Sequence, residues 1–373
     1  MPPIRLNGWA VDRIRRVNRR LFAFVVLAGL VAAGCSSKPI PPSGETPSGT
    51  AGSVSPGPSA SQGNGGNPFG ILTPLRLSLG TQLSLAKQLD VSYVRPGAAV
   101  FAESSDLNCS GCAQFTKDGF KLILTVRNGP DSIQQILGGG QLPASSFPKD
   151  LTAYKERIGQ VIDLYHPTVL VIENEEDVPT HYSGTPEQYG EQLRVACEAA
   201  HQRDIKCTNG GLLSGSVTYA VYQHYVDTGQ TAKAQSFAQR AFEDFQLAKL
   251  KTPGGSERIR SRVDIVRRFL AADGRAGADY INFHWYISDP QAMQEAVDYL
   301  SSVTGLPAMT NEMGQRNDDA DATTRMMATV LKLGLPYAVW YITDAKLARG
   351  LINLDGSLRT TGDAFKQFIK SNV

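Results

Sequence analysis

The sequence predicts an α/β fold: a single TIM (β/α)8 barrel carrying a helical insertion between strands five and six. After residue 67, short apolar, β-branched runs alternate with longer amphipathic stretches, and eight such units can be counted. The rival, a doubly wound open sheet, lacks its usual chemistry: no Gly-rich turn follows the first strand, and neither a Walker motif nor a GxSxG elbow is present.

Before the barrel come two segments of different character. Arg5, Arg13, Arg15, Arg16, Arg19 and Arg20 precede the apolar run Leu21 to Ala33, which is short for a bilayer span and gives way to small residues and Cys35. A positive head, an apolar stretch and small residues before a cleavage point make residues 1–35 an export signal. Ala32-Ala33-Gly34-Cys35 resembles a bacterial lipobox, which implies lipidation of Cys35 and a chain anchored to a bacterial cell membrane, facing periplasm or exterior. Residues 36–67 are almost entirely Ser, Gly, Pro and other small or polar residues, which bury too little apolar surface to offset ordering entropy. They are expected to form a disordered linker, with the barrel domain occupying residues 68–373.

The eight expected strands are Phe69 to Leu72, Val91 to Arg95, Leu122 to Val126, Thr168 to Glu173, Ile205 to Asn209, Tyr280 to Trp285, Ala308 to Glu312 and Tyr337 to Ile342. Helical periodicity covers Thr81 to Leu89, Leu151 to Tyr165, Pro186 to His201, Gln291 to Val303, Thr323 to Leu333 and Gly362 to Ile369. Several of these end on glycine or run into proline, as helix stops do. Ser216 to Ala272 is too long for one barrel helix and reads as two or three, placed either as a lid over the strand ends or as padding. Within it Tyr219, Tyr222, His224 and Tyr225 are sugar contacts or helix core.

Four cysteines remain after Cys35, an even number that suits an oxidising compartment. Cys197 falls near a helix end and Cys207 on the following strand, so these two can bridge, which leaves Cys109 with Cys112. The formal net charge of +2 is near neutral and six of the arginines cluster before residue 21, so no basic stripe argues for nucleic acid.

Polar and acidic residues gather where the expected strands end, the face on which barrel enzymes do chemistry. Strand two ends in Arg95, strand four in Glu173-Asn174-Glu175-Glu176-Asp177, strand six in His284-Trp285-Tyr286, strand seven in Asn311-Glu312 and strand eight in Trp340. This set resembles the clan A retaining glycosidases, whose barrels carry Asn-Glu at strand four and a second Glu at strand seven; family thirty-nine is the nearest likeness. The resemblance implies that Glu175 is the acid/base and Glu312 the nucleophile of a double displacement on an oligo- or polysaccharide, with no cofactor and no metal. Arg95 and Tyr286 would hold Glu312 ionised, Asn174 would bind the sugar 2-hydroxyl, His284 would bind a hydroxyl or orient Arg95, and Trp340 would face the sugar ring. The acidic run after Asn174 departs from the family pattern and makes Glu173 and Glu176 competitors. Strand alternation separates Glu176 from Glu175 but leaves Glu173 on the same parity, so that choice rests on the resemblance. Two other functions stand beside this one: a barrel that binds carbohydrate without cleaving it, and a metal-dependent hydrolase using His181, His284 and Asp177, for which neither HExxH nor His-x-His spacing is present.

Overall fold

The structure, a computed structural model, describes residues 66–129, 144–315, 317–344 and 349–373. The export signal, Cys35 and most of the linker lie outside the described residues. No helix among the described residues is long and apolar enough to cross a membrane.

Eight parallel strands form the barrel: β1 (Phe69–Thr73), β2 (Tyr93–Pro96), β3 (Lys121–Arg127), β4 (Val169–Ile172), β5 (Lys206–Asn209), β6 (Ile281–Trp285), β7 (Ala308–Met313) and β8 (Ala338–Tyr341). Hydrogen-bonded neighbours run β5-β4-β3-β2-β1-β8-β7-β6. The remaining seam, β5 to β6, is closed by single parallel bridges, Thr208 to Tyr280 and Leu212 to Phe283, together with side-chain bonds from asparagines.

Alternation along the strands sorts the core into two regions. Ile123, Val169, Val171, Met309 and Val339 fill the interior, and Tyr93, Tyr280 and Tyr337 stack edge-to-face beside them. The opposite parity, including Phe69, Ile71, Leu122, Leu124, Leu170, Phe283 and Trp285, packs outward beneath the helices.

The helices are α1 (Leu79–Gln88), α2 (Cys112–Lys117), α3 (Leu151–Tyr165), α4 (Pro186–His201), α5 (Ser214–Asp227), α6 (Thr231–Ala241), α7 (Asp244–Leu250), α8 (Gly255–Asp273), α9 (Pro290–Thr304), α10 (Ala320–Leu333) and α11 (Thr360–Asn372). Their starts are written in the sequence. Asp150, Asp289 and Asp319 accept from first-turn backbone N–H groups, and Thr185 and Gln188 form a reciprocal capping box behind Pro186.

The insertion holds four helices, α5 to α8, not two or three. The capping box of Glu243 with Gln246 starts the short helix α7 that the periodicity does not separate. Its aromatics serve packing: Tyr219 and Tyr222 both meet Phe242 at 5.3 Å between centroids, His224 meets Tyr299 at 5.3 Å, and Tyr225 meets Phe237 at 6.2 Å. Two disulfides are formed, Cys197 to Cys207 with Cα atoms 5.3 Å apart and Cys109 to Cys112 at 5.6 Å, both ordinary spans for the bond.

Candidate active site

At the C-terminal end of the barrel β2, β6, β7 and the loop after β4 bring side chains to one place. Arg95 on β2 is the hub. Its Nη1 donates to Glu312 Oε2 at 2.7 Å and to the Asn311 carbonyl at 3.0 Å, its Nη2 donates to Asn174 Oδ1 at 2.7 Å, and its Nε reaches Thr125 Oγ1 at 3.3 Å. Tyr286 donates from its hydroxyl to the other oxygen of Glu312 at 2.6 Å.

Strand β7 presents Asn311 and Glu312 together because it is bulged. Asn282 pairs with Met309 but His284 pairs with Glu312, so β7 spends one residue more than β6 over that stretch. A bulge re-aims a side chain that alternation would send to the other face. On β6, Asn282, His284 and Tyr286 share the inward parity. Phe283 and Trp285, with rings 5.8 Å apart, share the outward one.

The acidic run after β4 divides by backbone conformation. Glu173 and Glu175 have φ of 69° and 47°, the left-handed region that costs a non-glycine residue roughly 1–3 kcal/mol. Alternation therefore stops at Ile172. Glu173 turns away from the barrel interior: its Oε1 accepts from the Asn128 N–H at 2.7 Å and from Gln192 of α4 at 2.8 Å, and Arg127 lies 3.6 Å from its Oε2. Glu176 is buried against Asn209, whose Nδ2 donates to it at 2.7 Å. Asp177 pairs with Arg262 of α8 at 2.7 Å. Only Glu175 of this run reaches Glu312: one oxygen of each, together with a ring nitrogen of His284, lie within 4.8 Å of one another.

The two carboxyls sit in different surroundings. Burial raises the pKa of Glu312, but the charges of His284 and Arg95 and the Tyr286 hydrogen bond outweigh it and hold the carboxylate below its ordinary value. Burial also opposes ionisation of Glu175, and here His181 and His284 win by more. His284 Nδ1 lies 3.0 Å from Glu175 Oε1. His181 Nδ1 lies 3.0 Å from Oε2 as an ion-pair contact without hydrogen-bond alignment. Burial lowers the His284 pKa, yet Glu312 and Glu175 leave it raised.

Arg95, Asn174, Glu175, His284, Tyr286 and Glu312 thus converge, as the sequence places them. Trp340 does not join them. It is fully buried on the outward parity of β8, 5.5 Å from the Phe365 ring of α11, because Val339 and Tyr341 take the inward positions. Tyr341, partly exposed and 6.1 Å from the Tyr286 ring, is the aromatic that borders the site. Sequence reasoning also passes over Gly210 and Gly211, which follow β5. A Cβ on Gly210 would come within 2.7 Å of the Glu173 backbone and of Glu176 Oε2. One on Gly211 would come within 2.5 Å of His284 Nε2. The run Asn209-Gly210-Gly211 at a strand end is the signal that marks this close approach.

Glu175, His284 and Glu312 bring ligand atoms within 4.8 Å of one another, close enough to hold a cation, but these groups already have partners. Both His284 nitrogens are engaged, Nδ1 by Glu175 and Nε2 by Asn311 Oδ1 at 3.1 Å, and Arg95 already supplies positive charge against Glu312. The metal-dependent set of His181, His284 and Asp177 does not assemble, since Asp177 turns to Arg262 and the N–H of Leu213.

No family model and no curated protein matches the chain. Among solved structures it is similar to a GH128 (subgroup II) endo-β-1,3-glucanase from Pseudomonas viridiflava: 14% identity, TM-score 0.47, covering 80% of this chain and 96% of that one. A GH128 (subgroup I) endo-β-1,3-glucanase from Amycolatopsis mediterranei, in complex with laminarihexaose, gives 12% identity, TM-score 0.46, and 81% and 99% coverage. A GH128 (subgroup VII) oligosaccharide-binding protein from Trichoderma gamsii gives 13%, 0.40, and 83% and 96%. The suggested likeness to family thirty-nine finds no support among them. The barrel itself rests on the strand pairing described above.

Proposed function

We propose that the chain is a retaining glycoside hydrolase in which Glu312 attacks the anomeric carbon and Glu175 serves the departing oxygen. The observation that carries this reading is the carboxylate spacing. One oxygen of Glu175 and one of Glu312 lie within 4.8 Å of each other, a close approach that suits double displacement, in which the two carboxyl groups stand about 5 to 5.5 Å apart.

The surrounding residues support the assignment. A nucleophile must be ionised and aimed, and Arg95 and Tyr286 fix both oxygens of Glu312. The Tyr286 hydroxyl has its pKa pushed well up by burial and by Glu312, so it remains a donor. Asn174 spends its Oδ1 on Arg95, which leaves its Nδ2 as the end to meet a sugar hydroxyl. Tyr341, in place of Trp340, offers the aromatic face. The test is Glu312→Ala, assayed on aryl glycosides and polysaccharides that include β-1,3-glucan. Turnover is expected to fall on the order of 10⁴-fold or more and to recover with azide on an activated aryl glycoside. Unchanged activity removes Glu312 as nucleophile.

One observation favours a second reading, a barrel that binds carbohydrate without cleaving it: Glu175 is held ionised between two imidazoles, where a resting acid should be protonated. Tight glycan binding with no reducing ends released from any substrate would establish that reading.

A further inference from the structure

The proposed reaction needs a proton at Glu175, and the hydrogen bonds around the site show where one is kept. Three asparagines on adjacent strands form a chain whose direction is set by backbone groups. The Asn282 N–H donates to Asn209 Oδ1 at 2.6 Å, so that atom is the oxygen, and Asn209 Nδ2 donates to the Asn282 carbonyl at 2.9 Å and to Glu176. The Asn311 N–H donates to Asn282 Oδ1 at 2.9 Å, which fixes the second amide, and Asn282 Nδ2 donates to the Asn209 carbonyl at 3.0 Å and to Asn311 Oδ1 at 2.9 Å. Asn311 therefore turns its oxygen to His284 Nε2, 3.1 Å away. An amide oxygen only accepts, so Nε2 must carry hydrogen.

That leaves Nδ1, 3.0 Å from Glu175 Oε1, as the ring atom free to change protonation. The pair has two states of equal total charge: imidazolium with carboxylate, or neutral imidazole with carboxylic acid. We propose that His284, locked in its Nε2–H form by the Asn209–Asn282–Asn311 chain, stores on Nδ1 the proton that Glu175 delivers to the leaving oxygen. His284 is then a positioning and proton-holding residue acting through Glu175, and the inference rests on the function proposed above.

The step balances. As the glycosidic C–O bond breaks, its electron pair stays on the leaving oxygen, and a Glu312 oxygen bonds the anomeric carbon. The proton passes from Nδ1 to Glu175 and on to the leaving oxygen, leaving neutral His284 and a Glu175 carboxylate. When water later attacks the glycosyl-enzyme, Glu175 takes the water proton and returns it to Nδ1 while Glu312 departs as carboxylate. The groups facing the ring account for its resting charge: Glu175 from the β4 loop and Glu312 from β7, 3.9 Å from Nδ1, favour the cation, and Arg95 from β2 opposes it. Behind the ring stands bare backbone at Gly211, and His181 faces the second oxygen of Glu175.

The test is two-bond ¹H–¹⁵N correlation NMR on the full chain with ¹⁵N-labelled histidine, across neutral pH. His284 is expected to show a protonated Nε2 at every pH and a protonated Nδ1 at pH 7, with the Nδ1 proton held less firmly in Glu312→Gln. An unprotonated Nε2, or an Nδ1 bare throughout, overturns the inference. Kinetics supply the second arm. His284→Asn should lose about 10²- to 10³-fold in kcat/KM on glycosides with poor leaving groups, stay within a few-fold in kcat/KM on dinitrophenyl glycosides, whose first step needs no acid, and shift its alkaline pH limb. Equal losses of kcat/KM on both substrates mean a merely structural role and contradict the proposal. A chain with the expected nitrogen shifts and no hydrolase activity overturns the function proposed above; activity without those shifts overturns this inference.

Discussion

Gly211 shows how closely single residues are constrained here. Its φ of 100° is open to glycine, and an added Cβ would meet His284 Nε2 at 2.5 Å and Cδ2 at 2.6 Å. Gly211→Ala is expected to cost roughly 1–3 kcal/mol from the backbone alone and to lower turnover by displacing the imidazole; urea unfolding beside steady-state kinetics checks both. Unchanged kinetics would mean that the ring seat is not needed. Which residues were legible follows from how each is positioned. Arg95, Tyr286 and Glu312 lie at strand ends where position along the chain decides position in the barrel. Trp340 lies outside the site because inwardness depends on parity, and Val339 beside it in the interior cluster reveals that parity. Glu173 and Glu175 share a parity on paper and part in space, since two left-handed residues in three end the alternation. Such conformations leave no mark in side-chain type.

Among the elements, the β5–β6 seam stands apart, because its backbone pairing is reduced to isolated bridges and asparagine side chains join the strands between them. Asn282 accepts from the Asn311 N–H and donates to both the Asn209 carbonyl and Asn311. Replacing it with Leu strips partners from a buried backbone donor and two buried acceptors. Asn282→Leu is expected to destabilise by roughly 2–4 kcal/mol, read from the urea midpoint. A loss below about 1 kcal/mol would show that the seam does not depend on the asparagine chain. The eight strands were readable from alternating runs, and α3, α4, α9 and α10 from their caps and periodicity. The β7 bulge was not, as an extra residue changes pairing without changing composition. The insertion was visible in length, yet its division into four helices turned on the small capping box of Glu243 and Gln246.

At the scale of the whole molecule, buried carboxyls set the response to pH. Burial and neighbouring acids push Glu176 and Asp273 well above the usual carboxylate range, and neither oxygen of Asp273 has a hydrogen-bond partner. A raised folded pKa means that the native state holds protons the unfolded chain gives up. Stability then falls as pH rises above the unfolded value of about 4. Glu175 and Glu312 act the other way: their depressed values contribute stability that is present above the unfolded pKa and lost as pH falls through the folded one. Asp273→Asn should therefore gain on the native protein as pH rises, its advantage in urea midpoint larger at pH 8 than at pH 5; an equal difference at both would contradict the assignment. The central claim, that Glu312 and Glu175 perform a double displacement across one glycosidic bond, is tested most directly by the anomer released first. In a ¹H NMR time course on an aryl glycoside that the protein cleaves, the first sugar formed is predicted to keep the substrate's anomeric configuration. First appearance of the opposite anomer would contradict the account.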